Sequence, residues 1–175
     1  MTDKRIEQRG LYFEEFEEGT VYLHRPGRTV TESDNVLFTT MTMNTQSLHL
    51  DAAWSSHTEF GEPLVNSMFT LSTLVGLSVS QLTMGTIVAN LGFSEVSFPA
   101  PVRVGDTLYA ETRIISKRLS ASRPGQGIVE FKHTMRNQVG KVVAIATRST
   151  LMQCLPGAAS HPDTTSTTEQ SEGTQ

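Results

Sequence analysis

The sequence predicts one α+β domain, in which long antiparallel strands wrap around a single buried helix. Three observations predict it. The run 68–82 is apolar nearly all round, with Phe69, Leu71, Leu74, Val75, Leu77, Val79 and Leu82 interleaved by small Ser and Gly residues. A helix without a polar face is normally buried. From Thr86 onward the pattern turns to β, with segments at 86–98, 107–118, 127–136 and 141–152. The half before them reads as mostly helical, with N-terminal cap signals at Thr31 and Asp51.

The bulk numbers bound what such a domain can be. A chain of 175 residues suits one domain of ordinary size with a real core. Lys+Arg 14 against Asp+Glu 18 gives −4 with no basic block, so nucleic acid and anionic membrane are not expected partners. The single cysteine, Cys154, permits no internal disulfide and no cysteine ligand pair, which fits a reducing cytoplasm and no metal. The N-terminus lacks a signal-peptide core, and no apolar run reaches membrane-spanning length.

Each element has its own warrant. Residues 1–10 read as a polar arm ordered by contact with other groups. The domain runs over 11–155. Val21-Tyr22-Leu23-His24 is a β-like segment closed by Arg25-Pro26-Gly27. Thr31-Glu32-Ser33-Asp34 has the form of a capping box, and Val36, Leu37, Thr40 and Met41 supply the apolar face of the helix behind it. Asp51 caps a second helix at 52–59, stopped by Phe60-Gly61-Glu62-Pro63. Gly92 marks a bulge in the first long strand, Gly105-Asp106 a tight turn, and 137–140 a hairpin loop. The tail 156–175, rich in Thr, Ser, Glu, Gly and Pro, is expected to be disordered.

One stretch carries chemistry. Asn44-Thr45-Gln46-Ser47-Leu48-His49-Leu50-Asp51 is a polar loop holding a histidine. Phe60-Gly61-Glu62-Pro63-Leu64-Val65-Asn66-Ser67-Met68 follows and leads into the buried helix. Imidazole titrates near neutrality and suits a general base. Unpaired N–H groups at a helix start favour developing negative charge. The bland reading is also open: a lone histidine is more often a hydrogen-bonding or surface residue, Asn44 suits a left-handed loop position, and Ser67 suits a helix cap. His24, His57, His133 and His161 have no partner pattern and read as structural or exposed. Met41, Met43 and Met68 read as core filler or as a flexible acyl wall.

These two segments, in this order and spacing, resemble the MaoC-like family of hot-dog dehydratases, which includes R-specific enoyl-CoA hydratases. The family pattern is Asp-x-Asn-Pro-φ-His-φ-Asp, where φ is apolar, followed by a Phe-x-x-Pro-φ-φ-His-Gly-Met run. Leu91 to Asp106 resembles its strand-loop-strand. The likeness runs from Phe13 to Met152. It implies a hot-dog fold and the addition of water to the double bond of an acyl-CoA, with CoA as part of the substrate and no other cofactor. It also implies a homodimer or larger assembly. The Asn-Thr-Gln loop is most similar to hydratases of small branched dicarboxylyl-CoA esters such as mesaconyl-CoA or itaconyl-CoA.

The resemblance makes His49, Asn44 and Ser67 the candidate catalytic residues, with Ser67 donating its backbone N–H to the thioester oxygen. Gln46, Ser47, Asn66, Met68 and Arg103 are candidate substrate contacts. By charge alone Arg103, Lys117, Arg118 and Arg123 could meet CoA phosphates, although scattered surface cations account more simply for most of them. The departures are specific. Asn44 stands where the family has its catalytic Asp and cannot take a proton. Gln46-Ser47 replace Asn-Pro, and Asn66-Ser67 replace His-Gly. Two other readings stay open. One is a hot-dog thioesterase in which His49 or Glu59 activates water, and the other is an acyl-CoA-binding module without catalysis.

Overall fold

The computed structural model describes residues 3–158, so the expected tail lies outside the described residues from position 159 on, as does His161. The chain opens with a polar arm whose end is pinned. The Gly10 N–H donates to the Met84 carbonyl at 2.8 Å and the Leu11 N–H to the Leu82 carbonyl at 3.0 Å. A 3₁₀ turn at Phe13–Glu15 then buries Phe13.

The first strand, β1 (Val21–Thr29), is longer than the sequence suggests. Arg25-Pro26-Gly27 does not end it, and the register against its neighbour shifts between His24 and Arg28 instead. The physical reason is position. A strand on the sheet edge tolerates proline, which lacks an N–H, and a bulge absorbs the irregularity. Gly27 is required there, since an added Cβ would sit 2.5 Å from the Tyr109 ring.

Thr31 caps α1 (Glu32–Met41) in the expected box: the Asp34 N–H donates to Thr31 Oγ1 at 3.2 Å, and the Thr31 N–H donates to Asp34 Oδ2 at 2.9 Å. The buried face of α1 differs from the expected one. Val36, Leu37, Thr40 and Met41 are exposed, whereas Asn35 and Thr39 are buried. This side of α1 meets irregular backbone whose N–H and C=O groups need polar partners, so polar side chains are turned inward.

The loop that follows contains one helical turn, α2 (Ser47–Leu50). The next helix, α3 (Ala52–Ser55), has the expected cap, with Asp51 accepting the Trp54 N–H at 2.9 Å, but is shorter than 52–59. Beyond it, His57 Nδ1 donates to the Ala53 carbonyl, and the Thr58 hydroxyl joins the Thr58 N–H on the Ser55 carbonyl.

The long helix α4 (Ser67–Leu82) packs against β1 and against three of the strands that follow it in sequence. Those strands are β2 (Ile87–Ser97), β3 (Thr107–Leu119), β4 (Gln126–Arg136) and β5 (Val142–Gln153). They form one antiparallel sheet in the order β1-β3-β4-β5-β2. The β2–β5 register shifts at Gly92, as its position in the sequence suggests. Contrary to expectation, α4 is not buried all round. Thr70, Leu74, Ser78 and Leu82, four residues apart, face the sheet, while Met68 and Val79 are exposed. A single sheet covers one side of a helix, and on the other side of α4 only part is covered, where Phe38 of α1 meets Phe69 edge-on with ring centroids 5.6 Å apart.

The core divides in two. Leu74 belongs to one apolar cluster with Val65, Val102, Leu108 and Met135, and Leu82 to another with Phe16, Ile114 and Phe131. Between them lies a polar row: Ser78 on α4, Thr112 on β3, His133 on β4 and Arg148 on β5, all buried. His24 Nε2 and Thr112 Oγ1 are 2.7 Å apart, as are Thr112 Oγ1 and His133 Nδ1. Burial, reinforced by Arg148 and His24, pushes the His133 imidazole down to about 3, and burial lowers Arg148 to about 10.

Candidate active site

The first apolar cluster supports a cavity of about 390 Å³ between the start of α4 and the segment that follows β2. Its walls include Leu48, Phe60, Val65, Phe98 and Val143, and its polar edges come from His49, Ser67 and Thr70. Among the described residues no Asp, Glu, Lys or Arg side chain lines it. A second cavity of about 220 Å³ adjoins the other side of His49 and is bounded by Glu32 and Glu62. The histidine therefore lines both an apolar space and a mixed one that holds two carboxylates among Val36, Leu50, Pro63 and Val104.

His49 is the third residue of α2, half-buried, and its ring is fixed from behind. Nδ1 lies 2.8 Å from the Leu64 carbonyl oxygen. A carbonyl only accepts, so Nδ1 carries the proton and the neutral ring keeps its lone pair on Nε2. The Leu64 carbonyl is held in turn, because the Leu64 N–H donates to the Leu48 carbonyl at 3.0 Å and the Val65 N–H to the Val102 carbonyl at 2.9 Å. Leu64 and Val65 anchor this segment by being buried.

Ser67 is the first helical residue of α4, and the cap before it is Asn66 rather than Ser67. The Met68 N–H donates to Asn66 Oδ1 at 2.9 Å. The Ser67 N–H belongs to the first turn, where no intrahelical acceptor is within reach, and it sits at the positive end of the helix dipole. Ser67 and His49 share the walls of the larger cavity.

Asn44 is placed differently. Its N–H donates to the Thr39 carbonyl at 3.0 Å, and its Oδ1 accepts the Gln46 N–H at 3.0 Å. That turn follows Met43, which takes a positive φ of 59°. Asn44 Oδ1 thus braces the loop with one of its two lone pairs. Asn44, Gln46, Ser47, Asn66, Met68 and Arg103 line neither cavity beside His49. Asn66 is buried as a cap, Met68 is exposed, and the Arg103 guanidinium pairs with Glu62 and reaches the Phe60 carbonyl at 3.5 Å.

Asn35 is a residue that the sequence reading missed. Its Nδ2 donates to the His49 carbonyl at 3.0 Å, and its Oδ1 accepts the Asn66 N–H at 2.9 Å. The signal was available in the sequence as Asn35 and Thr39, two polar residues one helical turn apart on a face that turns out to be inward. His24 and His133 belong to the polar row of the core, and His57 is exposed in the turn after α3. Among the described residues no group of three or more His, Cys, Asp or Glu side chains is placed to hold a metal ion, and no helix is long and apolar enough to cross a membrane.

A family profile described as MaoC like domain matches residues 15–137. Protein MaoC of Klebsiella aerogenes is 33% identical over 118 residues, 67% of this chain and 34% of that protein. Mesaconyl-CoA hydratase of Haloarcula marismortui is 27% identical over 146 residues, 83% of this chain and 40% of that protein. The chain thus spans 34% to 40% of the length of these relatives. The solved structure of a monoamine oxidase regulatory protein from Archaeoglobus fulgius superposes with a TM-score of 0.77 at 31% identity, covering 86% of this chain and 100% of that one. A double-hot-dog protein of Mycobacterium tuberculosis superposes with a TM-score of 0.78 at 24% identity, covering 87% of this chain and 47% of that one, and shares the fold.

Proposed function

The chain belongs to the MaoC-like domain family, and on that premise we propose that it is a hydro-lyase adding water reversibly across the α,β double bond of an enoyl-CoA thioester. The observation that carries the proposal is that His49 and Ser67 line one apolar cavity. His49 Nε2 takes a proton from water, and the hydroxide adds to Cβ. The electron pair moves through Cα to the thioester oxygen, where the Ser67 N–H and the helix dipole stabilise it. One such donor is worth about 3 kcal/mol of barrier. The imidazolium then returns the proton to Cα, so both additions come from one face and the overall addition is syn. Asn44 lies outside both cavities beside His49 and supplies no carboxylate to share the proton.

The finer proposal concerns the acyl group. A mesaconyl-type or itaconyl-type ester carries a carboxylate, which needs a cation once it leaves water. The cavity walls supply none, and Arg103, held by Glu62 beside Phe60, is the cation able to exchange one carboxylate for another. An uncharged short enoyl chain fits the walls without that exchange.

The working assembly in this reading is a homodimer through β2. That strand is a sheet edge with Val88, Leu91, Phe93 and Val96 exposed, and Phe98 just beyond it lies on the cavity rim. A second copy along β2 would cover both, and sedimentation equilibrium of the purified chain tests this.

The test of the activity is a hydration assay over crotonyl-, mesaconyl- and itaconyl-CoA. Loss of enoyl absorbance with the thioester intact and a syn product is the expected result. Release of free CoA thiol with the double bond kept in the acid product would make the chain a thioesterase.

A further inference from the structure

Two groups must keep a fixed separation for this chemistry, the His49 ring and the start of α4, and one buried side chain touches the backbone of both. Asn35 is 2% exposed. Its Nδ2 donates to the His49 carbonyl at 3.0 Å and, more weakly, to the Leu64 carbonyl at 3.4 Å. The Leu64 carbonyl also accepts the His49 Nδ1–H, so Asn35 and the imidazole meet on one oxygen. On its other side, Asn35 Oδ1 accepts the N–H of Asn66, the residue whose own side chain caps α4 immediately before Ser67.

We propose that Asn35 is a positioning residue that ties the His49 base and the oxyanion end of α4 into one rigid unit. The inference rests on the hydratase reading of His49 and Ser67. Three physical points support it. First, both ends of the amide are used, and only a side chain with donor and acceptor on one planar group can bridge a carbonyl and an N–H at these distances. Second, the bonds are buried, where each is stronger and costlier to lose than in water. Third, Asn is a poor helix former and exposed apolar residues flank it on α1, so helix stability does not explain its place. Thr39, one turn along, buttresses the bridge: its hydroxyl is 3.4 Å from Asn35 Oδ1, and it accepts Asn66 Nδ2 at 3.3 Å.

The test is Asn35→Asp, which keeps an acceptor for the Asn66 N–H and removes both donors. It sets a carboxylate oxygen against the His49 and Leu64 carbonyls. Asn35→Ser serves beside it, as a smaller uncharged variant that leaves room for water. The expected result is a fall in kcat of about 100-fold, the scale of a 1 Å misplacement, with KM within about threefold. Nitrogen-15 NMR of the His49 ring reports the tautomer independently of turnover, and a single Nδ1–H form in the wild type becomes a mixture in both variants. Val129→Ala, buried in the other cluster, controls for destabilisation and lowers the melting temperature with kcat unchanged. If kcat and the Nδ1–H tautomer of both Asn35 variants match wild type, the proposal is overturned. If the wild type turns over no enoyl-CoA while the tautomer shift is still seen, the hydratase reading fails and the bridge stands.

Discussion

His49 Nδ1 and the Leu64 carbonyl oxygen are 2.8 Å apart, and this bond decides which nitrogen of the imidazole is free to act as a base. The two residues are brought together by backbone, since Leu64 itself donates to the carbonyl of Leu48, the neighbour of His49. The histidine is thereby oriented by main-chain groups, where the family pattern also supplies a carboxylate.

Asn44 is the position where that carboxylate is missing. In Asn44→Asp, Oδ1 can still accept the Gln46 N–H, so the turn survives, and the second oxygen becomes a proton acceptor. We expect kcat on crotonyl-CoA to rise about tenfold, less than the about 100-fold or more that a positioned acid or base contributes, because position 44 lines neither cavity beside His49. Steady-state kinetics on crotonyl-CoA check this, and an unchanged rate means that Asn44 serves the loop alone.

Arg103 tests the acyl group. Replacing it with methionine removes the cation that a second substrate carboxylate requires. A hydrogen bond to a charged group contributes about 1.5–3 kcal/mol, so the ratio of kcat/KM for mesaconyl-CoA over crotonyl-CoA should fall at least about tenfold. A constant ratio assigns Arg103 to its ion pair with Glu62 and nothing more.

Asn66→Ala should weaken the start of α4. The variant loses the acceptor for the Met68 N–H and the contact to Thr39, and a lost N-cap costs about 1 kcal/mol. Urea unfolding measures the change, and Asn66→Asp should retain most of the cap. A variant as stable as wild type would show that the first turn is held by other groups.

The polar row in the core makes stability depend on pH. His133 is held neutral by burial, with its pKa near 3, and burial also lowers His24. The folded state therefore binds fewer protons than the unfolded chain below the ordinary histidine range. Stability is full above about pH 6.5 and falls as pH drops toward 3, by about 1.4 kcal/mol per pH unit for His133, with His24 acting in the same direction. The lowered pKa values of Glu15 and Asp34 begin to act as the ordinary carboxylate range is entered, so the window from about pH 6.5 to about 5.5 isolates the histidines. Urea unfolding across that window should show this slope, and His133→Asn should reduce it by one proton. A flat profile would mean that the row admits the charge.

The order of elements, the capping box at Thr31, the Asp51 cap and the bulge at Gly92 were legible in the sequence because each rests on local chemistry. Phe13 to Met152 and the His49 loop were legible through spacing. What was not legible depended on the third dimension. Sorting α1 by apolarity chose Val36, Leu37 and Met41 and passed over Asn35 and Thr39, because nothing local says that the facing surface is bare backbone. The open side of α4 was read as buried for a related reason: an apolar helix records that it will be covered and not by what. Asn66 and Ser67 were separated by one residue in role, a distinction that needs the observed φ and ψ at the cap.

The most direct measurement is the hydration rate of purified His49→Ala on the enoyl-CoA that the wild type accepts best, read beside the thermal unfolding of both proteins. The account predicts a loss in kcat/KM of at least about 100-fold, the contribution of a positioned base, with the fold retained. Wild-type hydration by a folded His49→Ala protein would contradict it.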